Sequence, residues 1–222
     1  MQIRTMETAT ARFWEKYTPS KSVLLDRLER LVVIAMFCVF ASVNLGRFAQ
    51  TLDIRSLMLV ISETLPLILV ALRPPSQTLS EKSLDWFVGL GGSIFPLLVV
   101  AGGTLNPLLP LALCFSIIIF GLFVQIAAKV ALGRSFGLIA ANRGVKSSGP
   151  YHFVRHPMYA GYTIVHIGIV LSFPSLRNAI LYSLALAFQL IRIVREERVL
   201  MQDPDYRALA GRVRYRLIPG IF

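Results

Sequence analysis

Residues 108–131 read LLPLALCFSIIIFGLFVQIAAKVA, an apolar run in which Lys129 is the only charged residue. A helix of about 20 apolar residues crosses the roughly 30 Å hydrocarbon core of a bilayer. Helices and closed barrels are the structures that satisfy their backbone hydrogen bonds in lipid. This stretch therefore predicts a transmembrane helix within a helical membrane fold.

Comparable apolar segments lie on both sides of this run, at about 31–50, 54–72, 86–105, 158–173 and 176–194. Over the 222 residues, 55% are apolar and only 16% are charged, which is typical of an integral membrane protein rather than a soluble domain. We expect an all-α integral membrane protein with about six transmembrane helices. It divides into a basic cytoplasmic segment at 1–30, four helices within 31–128, and a core at 129–222.

The positions of Lys and Arg predict the orientation in the membrane. Six spans with both termini in the cytoplasm leave only Arg47, Arg55 and Arg177 outside, as the positive-inside rule prefers. The net charge of +11 then reflects topology and contact with anionic membrane lipids, so we expect no nucleic-acid partner. The N-terminal segment lacks the pattern of a cleaved secretory signal, and the absence of a eukaryotic retention signal favours a bacterial inner membrane.

The stretch 149–161, GPYHFVRHPMYAG, is unusually polar and aromatic for such an apolar chain. Gly149-Pro150 should end an irregular loop, and His156-Pro157 suits the start of a helix whose free N–H groups could hold an anion. The aromatic rings could enclose a planar base or face a cation. Alternatively, each ring is an ordinary interfacial residue of a membrane protein.

A second polar cluster, RIVREER at 192–198, follows one apolar hairpin later. Arg192 and Glu196 are four residues apart and share a helix face. An ionisable group near the end of a membrane span is costly unless it is paired or functional. Arg195 and Arg198 fit simple contact with lipid headgroups, whereas Arg192 and Glu196 fit a functional role. We expect both polar clusters to meet in one cytoplasmic pocket formed by the C-terminal half.

Several motifs together resemble the isoprenylcysteine carboxyl methyltransferase family and its prokaryotic relatives, within a wider group that includes phospholipid N-methyltransferases. They are SGPY at 148–151, RHPMYAG at 155–161, EERVL at 196–200, Tyr206 and RLIPG at 216–220. The resemblance covers about residues 129–222, including LGRSF at 132–136. It implies that this core combines a cofactor loop, a helical hairpin and a C-terminal surface segment.

The resemblance implies an S-adenosylmethionine-dependent methyltransferase that modifies a lipophilic or lipid-linked substrate at a carboxylate. Arg192 matches the family arginine assigned to the substrate, whereas Ala141 stands near the position of a family glutamine. If the acceptor were a lipid amine, a base would be needed, and Glu197 or His152 would be candidates. The residues that match cofactor-binding positions are Val145, Lys146, Tyr151, His156, Pro157, Met158, Tyr159 and Glu196.

Other classes of protein remain open on the sequence. Membrane sterol reductases, which use NADPH, share a similar Arg-His-x-x-Tyr-x-Gly run, but their Gly-Trp-Trp entry is Gly149-Pro150-Tyr151 here. A metal site at His152, His156 and the Glu196-Glu197 pair would be poor in histidine for a membrane di-iron centre, so we expect no metal. A non-catalytic scaffold leaves both polar clusters unexplained. The sequence favours no oligomeric state.

Overall fold

The computed structural model describes residues 21–52, 60, 64, 67–73, 80–99, 106–139 and 141–222, and these residues contain no β-strand. The expected all-α architecture is therefore confirmed for this part of the chain. Residues 67–72 are also helical, and short 3₁₀ turns occur at Phe95–Leu98, Gly133–Ser135 and Gly149–His152. The remaining helices are α1 (Lys21–Thr51), α2 (Ser83–Ile94), α3 (Leu111–Leu132), α4 (Pro157–Ser172), α5 (Leu176–Leu200) and α6 (Pro204–Arg212).

Three of the described helices, α1, α3 and α5, are long and apolar enough to cross a membrane, with 31, 22 and 25 residues. Helix α4 is apolar but has only 16 residues. The spans expected at 54–72 and 86–105 lie partly outside the described residues. Within the second of these, α2 ends after 12 residues and continues as a 3₁₀ turn that contains Pro96.

Helix α1 (Lys21–Thr51) includes ten residues that precede the apolar span predicted from the sequence. At 1.5 Å per residue its 31 residues measure about 46 Å, which exceeds the roughly 30 Å hydrocarbon core. The extra turns carry Asp26 and Glu29, and both side chains are buried. These turns extend α1 because partners elsewhere in the fold neutralise their charges.

Close packing through glycine fixes α4 against α3. A Cβ atom on Gly161 would lie 2.7 Å from the backbone nitrogen of Gln125, and one on Gly121 would lie 2.8 Å from the nitrogen of Val165. Side chains at these positions would push the helices apart, so small residues permit this approach, as at many helix contacts in membranes. The contact holds the start of α4 beside the last turns of α3.

The helices alternate in direction, which brings most of their polar ends together. Asp85 at the start of α2 pairs with Arg195 near the end of α5. His156, just before α4, lies 3.3 Å from Glu197 of α5. At the opposite end, Arg177 donates to the Leu98 carbonyl at 3.2 Å. The molecule therefore has one end rich in paired charges, and the candidate site lies there.

Candidate functional site

A pocket of about 660 Å³, counting the open space at its mouth, lies at this polar end. The loop between α3 and α4, the start of α4, the end of α5 and helix α6 form its walls. Its lining residues are Leu132, Ser135, Gly137, Ala141, Arg143, Gly144, Val145, Lys146, Tyr151, Arg155, His156, Met158, Tyr159, Glu196, Leu200, Tyr206 and Leu209.

The stretch 149–161 enters the pocket through a tight turn followed by a helix start. Gly149 has a φ of +59°, a left-handed conformation that glycine adopts at little cost. The turn buries Tyr151, and burial, reinforced by the nearby Glu196 charge, raises the pKa of its phenol. Tyr151 therefore stays protonated at neutral pH, and it presents an aromatic ring with a hydroxyl donor.

Glu196 is the acidic residue that lines the pocket. Tyr159 donates a hydrogen bond from its hydroxyl to Glu196 Oε2 at 3.0 Å. This contact spans the start of α4 and the last turns of α5, so it joins the two polar motifs of the sequence. A carboxylate beside aromatic rings suits a ligand that carries hydroxyl or ammonium donors.

Glu197, the next residue, does not line the pocket and is 4% exposed. Its Oε1 atom lies 2.9 Å from Arg155 Nε and 3.3 Å from His156 Nε2, and it accepts from the Tyr206 hydroxyl at 3.3 Å. Its Oε2 atom accepts from Arg216 Nε at 2.7 Å. We call these five residues the Glu197 cluster. Its central carboxylate acts as a structural anchor because neighbouring side chains already use both oxygens.

The C-terminal segment forms one wall of the pocket. The backbone N–H groups of Arg155 and His156 donate to the carbonyls of Tyr215 and Arg216 at 3.0 and 2.8 Å. Tyr206 of α6 is 4% exposed, and burial raises the pKa of its phenol. These contacts fasten the last residues of the chain against the motif that opens α4.

Asp203 joins this wall to the loop that precedes α4. It caps α6 by accepting from the Asp205 backbone N–H at 2.8 Å, and it also accepts from Asn142 Nδ2 at 2.6 Å. The Asn142 hydrogen bond is the main reason that the pKa of Asp203 is lowered. This link joins the start of α6 to the loop between α3 and α4.

The opposite wall rests on a buried group of charges that we call the Glu29 cluster: Asp26, Glu29, Arg30, Arg73 and Arg143. Arg73 Nη2 lies 2.7 Å from Glu29 Oε2 and 3.0 Å from Asp26 Oδ1. Arg143 Nη2 lies 2.8 Å from Glu29 Oε2. Burial lowers the pKa of Arg143, and the Glu29 charge opposes that shift. The cluster therefore connects the pocket wall at Arg143 to helix α1.

The other oxygen of Glu29 holds the backbone of the same wall. Glu29 Oε1 accepts from the N–H groups of Leu138 and Ile139 at 2.5 and 2.9 Å. Loops need such partners because a buried backbone N–H without an acceptor is costly. One carboxylate of α1 thus fixes both the loop backbone and an arginine of the pocket.

The structure brings the residues of the sequence hypothesis around one pocket, with two exceptions. Pro157 is buried at the first position of α4 and does not line the pocket. Arg192 lies behind Tyr159, with its guanidinium 5.2 Å from that ring, and donates to the Gly137 carbonyl at 2.9 Å. The residues that do line it are Val145, Lys146, Tyr151, His156, Met158, Tyr159 and Glu196.

Sequence reasoning missed the Glu29 cluster. The available signal was the pair Asp26 and Glu29, which are three residues apart on one helix face just before an apolar span. Acidic residues there are costly unless cations pair with them. Their partners, Arg73 and Arg143, come from segments far along the chain.

The fold and the pocket define the class of protein: a helical protein with helices long and apolar enough to span a membrane and a polar pocket at one end. Residues 109–204 match the model of the phospholipid methyltransferase family. This match confirms the resemblance to the methyltransferase group, and it covers both polar motifs from 149 to 200. No curated protein matches the chain.

Proposed function

We propose that the protein transfers a methyl group from S-adenosylmethionine to an ionised carboxylate on a lipophilic molecule. The observation that carries this proposal is the arrangement of the two neighbouring glutamates, because Glu196 lines the pocket and Glu197 is held by other side chains. The family match over residues 109–204 supports methyl transfer in a membrane protein.

The lining of the pocket fits the chemistry of S-adenosylmethionine. Tyr151 and Tyr159 offer aromatic rings to an adenine base or a sulfonium cation. Glu196 offers a carboxylate to ribose hydroxyls or to an ammonium. When bound, the cofactor supplies an electrophilic methyl group on sulfur.

The remaining residues proposed to hold the cofactor are Val145, Lys146, His156 and Met158, together with Pro157. The first four line the pocket. Pro157 acts indirectly, because its fixed φ suits the first turn of α4 and so orients Met158 and Tyr159. Positioning and exclusion of water are the contributions that we assign to this set.

An acceptor that arrives ionised suits this site. A carboxylate is already deprotonated at neutral pH, whereas an amine must lose a proton before it can attack. Glu197, the carboxylate that could serve as such a base, contacts Arg155 at 2.9 Å and Arg216 at 2.7 Å. Methyl transfer to a carboxylate releases no proton, so Glu197 can keep those partners throughout.

Arg192 is the residue that we propose for orienting the acceptor. It precedes Glu196 by one helical turn and packs against Tyr159, so it lies next to the pocket, towards the middle of α5. A guanidinium can hold a carboxylate by two parallel hydrogen bonds. Its Nη2 atom already donates a hydrogen bond to the Gly137 carbonyl, and this bond fixes the orientation of the guanidinium group.

A phospholipid amine is the second candidate acceptor, and the name of the matching family favours it. This reaction would require a base close to the acceptor nitrogen. His152, one of the residues considered for that role, is exposed and does not line the pocket. To act as that base, Glu197 would have to lose its ion pairs with Arg155 and Arg216.

Purified protein incubated with a membrane lipid extract and S-adenosylmethionine labelled in its methyl group tests both candidates. A methyl ester releases labelled methanol in mild alkali, whereas an N-methylated lipid keeps its label. We expect alkali-labile product, and a strong loss of it in Glu196→Ala. Alkali-stable product would instead establish the amine acceptor. NADPH binding without any binding of the methyl donor would favour a reductase, and binding of neither would favour a scaffold.

We further propose that the pocket faces the cytoplasm of a bacterial inner membrane, with both termini on that side. The distribution of Lys and Arg supports this orientation. A C-terminal fusion to a reporter that is active only in the cytoplasm should be active. An active periplasmic reporter at the same position would contradict the orientation.

A further inference from the structure

Arg143 is a pocket residue that neither polar motif of the sequence contains. Its side chain is only 8% exposed and lines the pocket. Nη2 binds Glu29 Oε2 at 2.8 Å, and Nη1 donates to the Ile139 carbonyl at 3.1 Å. Its Nε atom is buried and has no hydrogen-bond partner among the residues that the structure describes. The Nε atoms of Arg30 and Arg73 share this property, so what sets Arg143 apart within the Glu29 cluster is its place in the pocket lining.

Among the residues that the structure describes, the charges around Arg143 do not cancel. The Glu29 cluster holds three guanidinium groups, on Arg30, Arg73 and Arg143, but two carboxylates, on Asp26 and Glu29. Arg73 is fully buried at its side chain, and Arg30 is 24% exposed. The cluster therefore carries one surplus positive charge at the edge of the pocket, where an anionic group would be stabilised.

The pocket also accommodates the Arg143 side chain closely. A Cβ atom on Gly137 would overlap the Arg143 guanidinium and would lie 2.7 Å from Arg73 Nη1. Glycine at position 137 therefore leaves space for the side chains of Arg73 and Arg143 beside the loop backbone. The Glu196 charge acts on Arg143 across the pocket. The site therefore presents a cation on one wall and an anion on another, which suits a zwitterionic ligand.

We propose that Arg143 binds the carboxylate of the amino-acid part of the methyl donor, and that Glu29 of α1 positions its guanidinium. This assignment rests on the proposed methyltransferase function. Glu29 is a positioning residue because one of its oxygens holds Arg143 while the other holds the N–H groups of Leu138 and Ile139. The donor pocket then depends on a helix that lies outside the family match at 109–204.

The test compares two ligands on the full-length protein in detergent, by calorimetry. The first is S-adenosylmethionine, and the second is its decarboxylated form, which keeps the nucleoside, the sulfonium and the amine. Wild-type protein should prefer the first by about tenfold or more, as expected for a hydrogen-bonded charge pair. Arg143→Gln should lose most of this preference by weakening the first ligand alone, and Arg143→Lys should keep part of it.

Glu29→Gln tests the positioning role through the same ratio. It should reduce the preference for the carboxylated ligand, and the double variant with Arg143→Gln should show no further reduction, because both residues act on one contact. A purely structural role for Glu29 would weaken both ligands equally. Thermal unfolding of each variant identifies any that fails to fold.

Three outcomes would overturn the assignment. Equal binding of both ligands by the wild-type protein would contradict the assignment before any variant is measured. Unchanged binding of S-adenosylmethionine by Arg143→Gln would also contradict the assignment, but it would leave the proposed methyltransferase function intact. Failure of wild-type protein to bind either ligand would overturn the proposed function and this assignment together.

Discussion

The Glu29 cluster and the Glu197 cluster are built alike but are buried differently. Each gathers two arginines around one buried glutamate, and each holds one side of the pocket. In the first, the Arg73 and Arg143 side chains are 0% and 8% exposed. In the second, Arg216 is 37% exposed. Water can replace lost partners more easily in the second cluster, so the C-terminal wall should loosen first.

Because the two clusters are buried to different degrees, their ion pairs should have different effects on the protein. Removing one partner of a fully buried pair leaves an uncompensated charge, which is far more costly than the pair itself is stabilising. The Glu29 cluster should therefore contribute more to the stability of the fold than the Glu197 cluster does. The Glu197 cluster should govern how firmly its C-terminal wall is held.

The largest effect should follow Glu29→Ala. This change leaves two buried arginines without their shared carboxylate and frees two loop N–H groups, which should cost about 3–5 kcal/mol of stability. Thermal unfolding in detergent measures the loss. Glu81→Ala is the matched control, because its pair with Lys21 is 50% and 72% exposed and should contribute at most about 1 kcal/mol. Equal effects of the two variants would contradict the comparison.

Glu197→Ala should cost less, about 2–3 kcal/mol, because the exposed side of Arg216 can be solvated. The chain after residue 200 should become much more sensitive to protease, while the helices before it stay resistant. Arg216→Ala serves as the graded control, since it removes one partner and leaves Arg155 in place. Protease resistance unchanged in Glu197→Ala would show that the backbone contacts alone hold this wall.

Glu196→Ala should show that Glu196 and Glu197, neighbours on α5, have different roles. The structure shows a single side-chain hydrogen bond to Glu196, from Tyr159, among the described residues, so the change should cost about 1 kcal/mol or less in stability. Binding of the methyl donor should nevertheless weaken by about tenfold or more. Calorimetry and thermal unfolding on the same preparation measure both quantities. A large stability loss with unchanged binding would reverse the roles assigned to Glu196 and Glu197.

The smallest effect should follow Asn142→Ala, which cuts the side-chain link between the two walls. Because its hydrogen bond lowers the pKa of Asp203, the contact stabilises the fold above the ordinary aspartate pKa. That stabilisation is lost as the pH falls through the lowered pKa of Asp203. The melting temperatures of wild type and variant should therefore differ slightly at neutral pH and converge in acid. A difference that persists in acid would point to another role for Asn142.

Local pattern in the sequence predicted the parts of the molecule that local chemistry determines. Hydropathy located α3 and the start of α5 within a few residues, and His156-Pro157 indicated the start of α4, but α5 continues to Leu200 beyond the predicted end at 194. Of the predicted residues that line the pocket, His156, Met158, Tyr159 and Glu196 lie on or next to these elements, whereas Val145, Lys146 and Tyr151 lie between α3 and α4. Helix geometry could not tell which of Glu196 and Glu197 faces the pocket, because that depends on where Arg155 and Arg216 lie.

The Glu29 cluster could not be predicted in the same way. Its pairs join residues that are 44 and 114 positions apart, and no spacing rule links them. Hydropathy treats Asp26 and Glu29 as interruptions and places the start of α1 too late. Only the folded arrangement shows that arginines neutralise them, so the helical turns of α1 before residue 31 depend on tertiary contacts.

The distance between Glu29 and Arg143 along the chain also sets an order of assembly. Synthesis proceeds from the N-terminus, so α1 leaves the ribosome with its carboxylates long before either arginine partner exists. Arg73 arrives first and can pair with both acids. Arg143 arrives only after α3 and brings the pocket loop with it. A nascent chain interrupted between these points already has Arg30 and Arg73 to pair with its two acids, but it lacks the third arginine and the loop that complete the pocket wall.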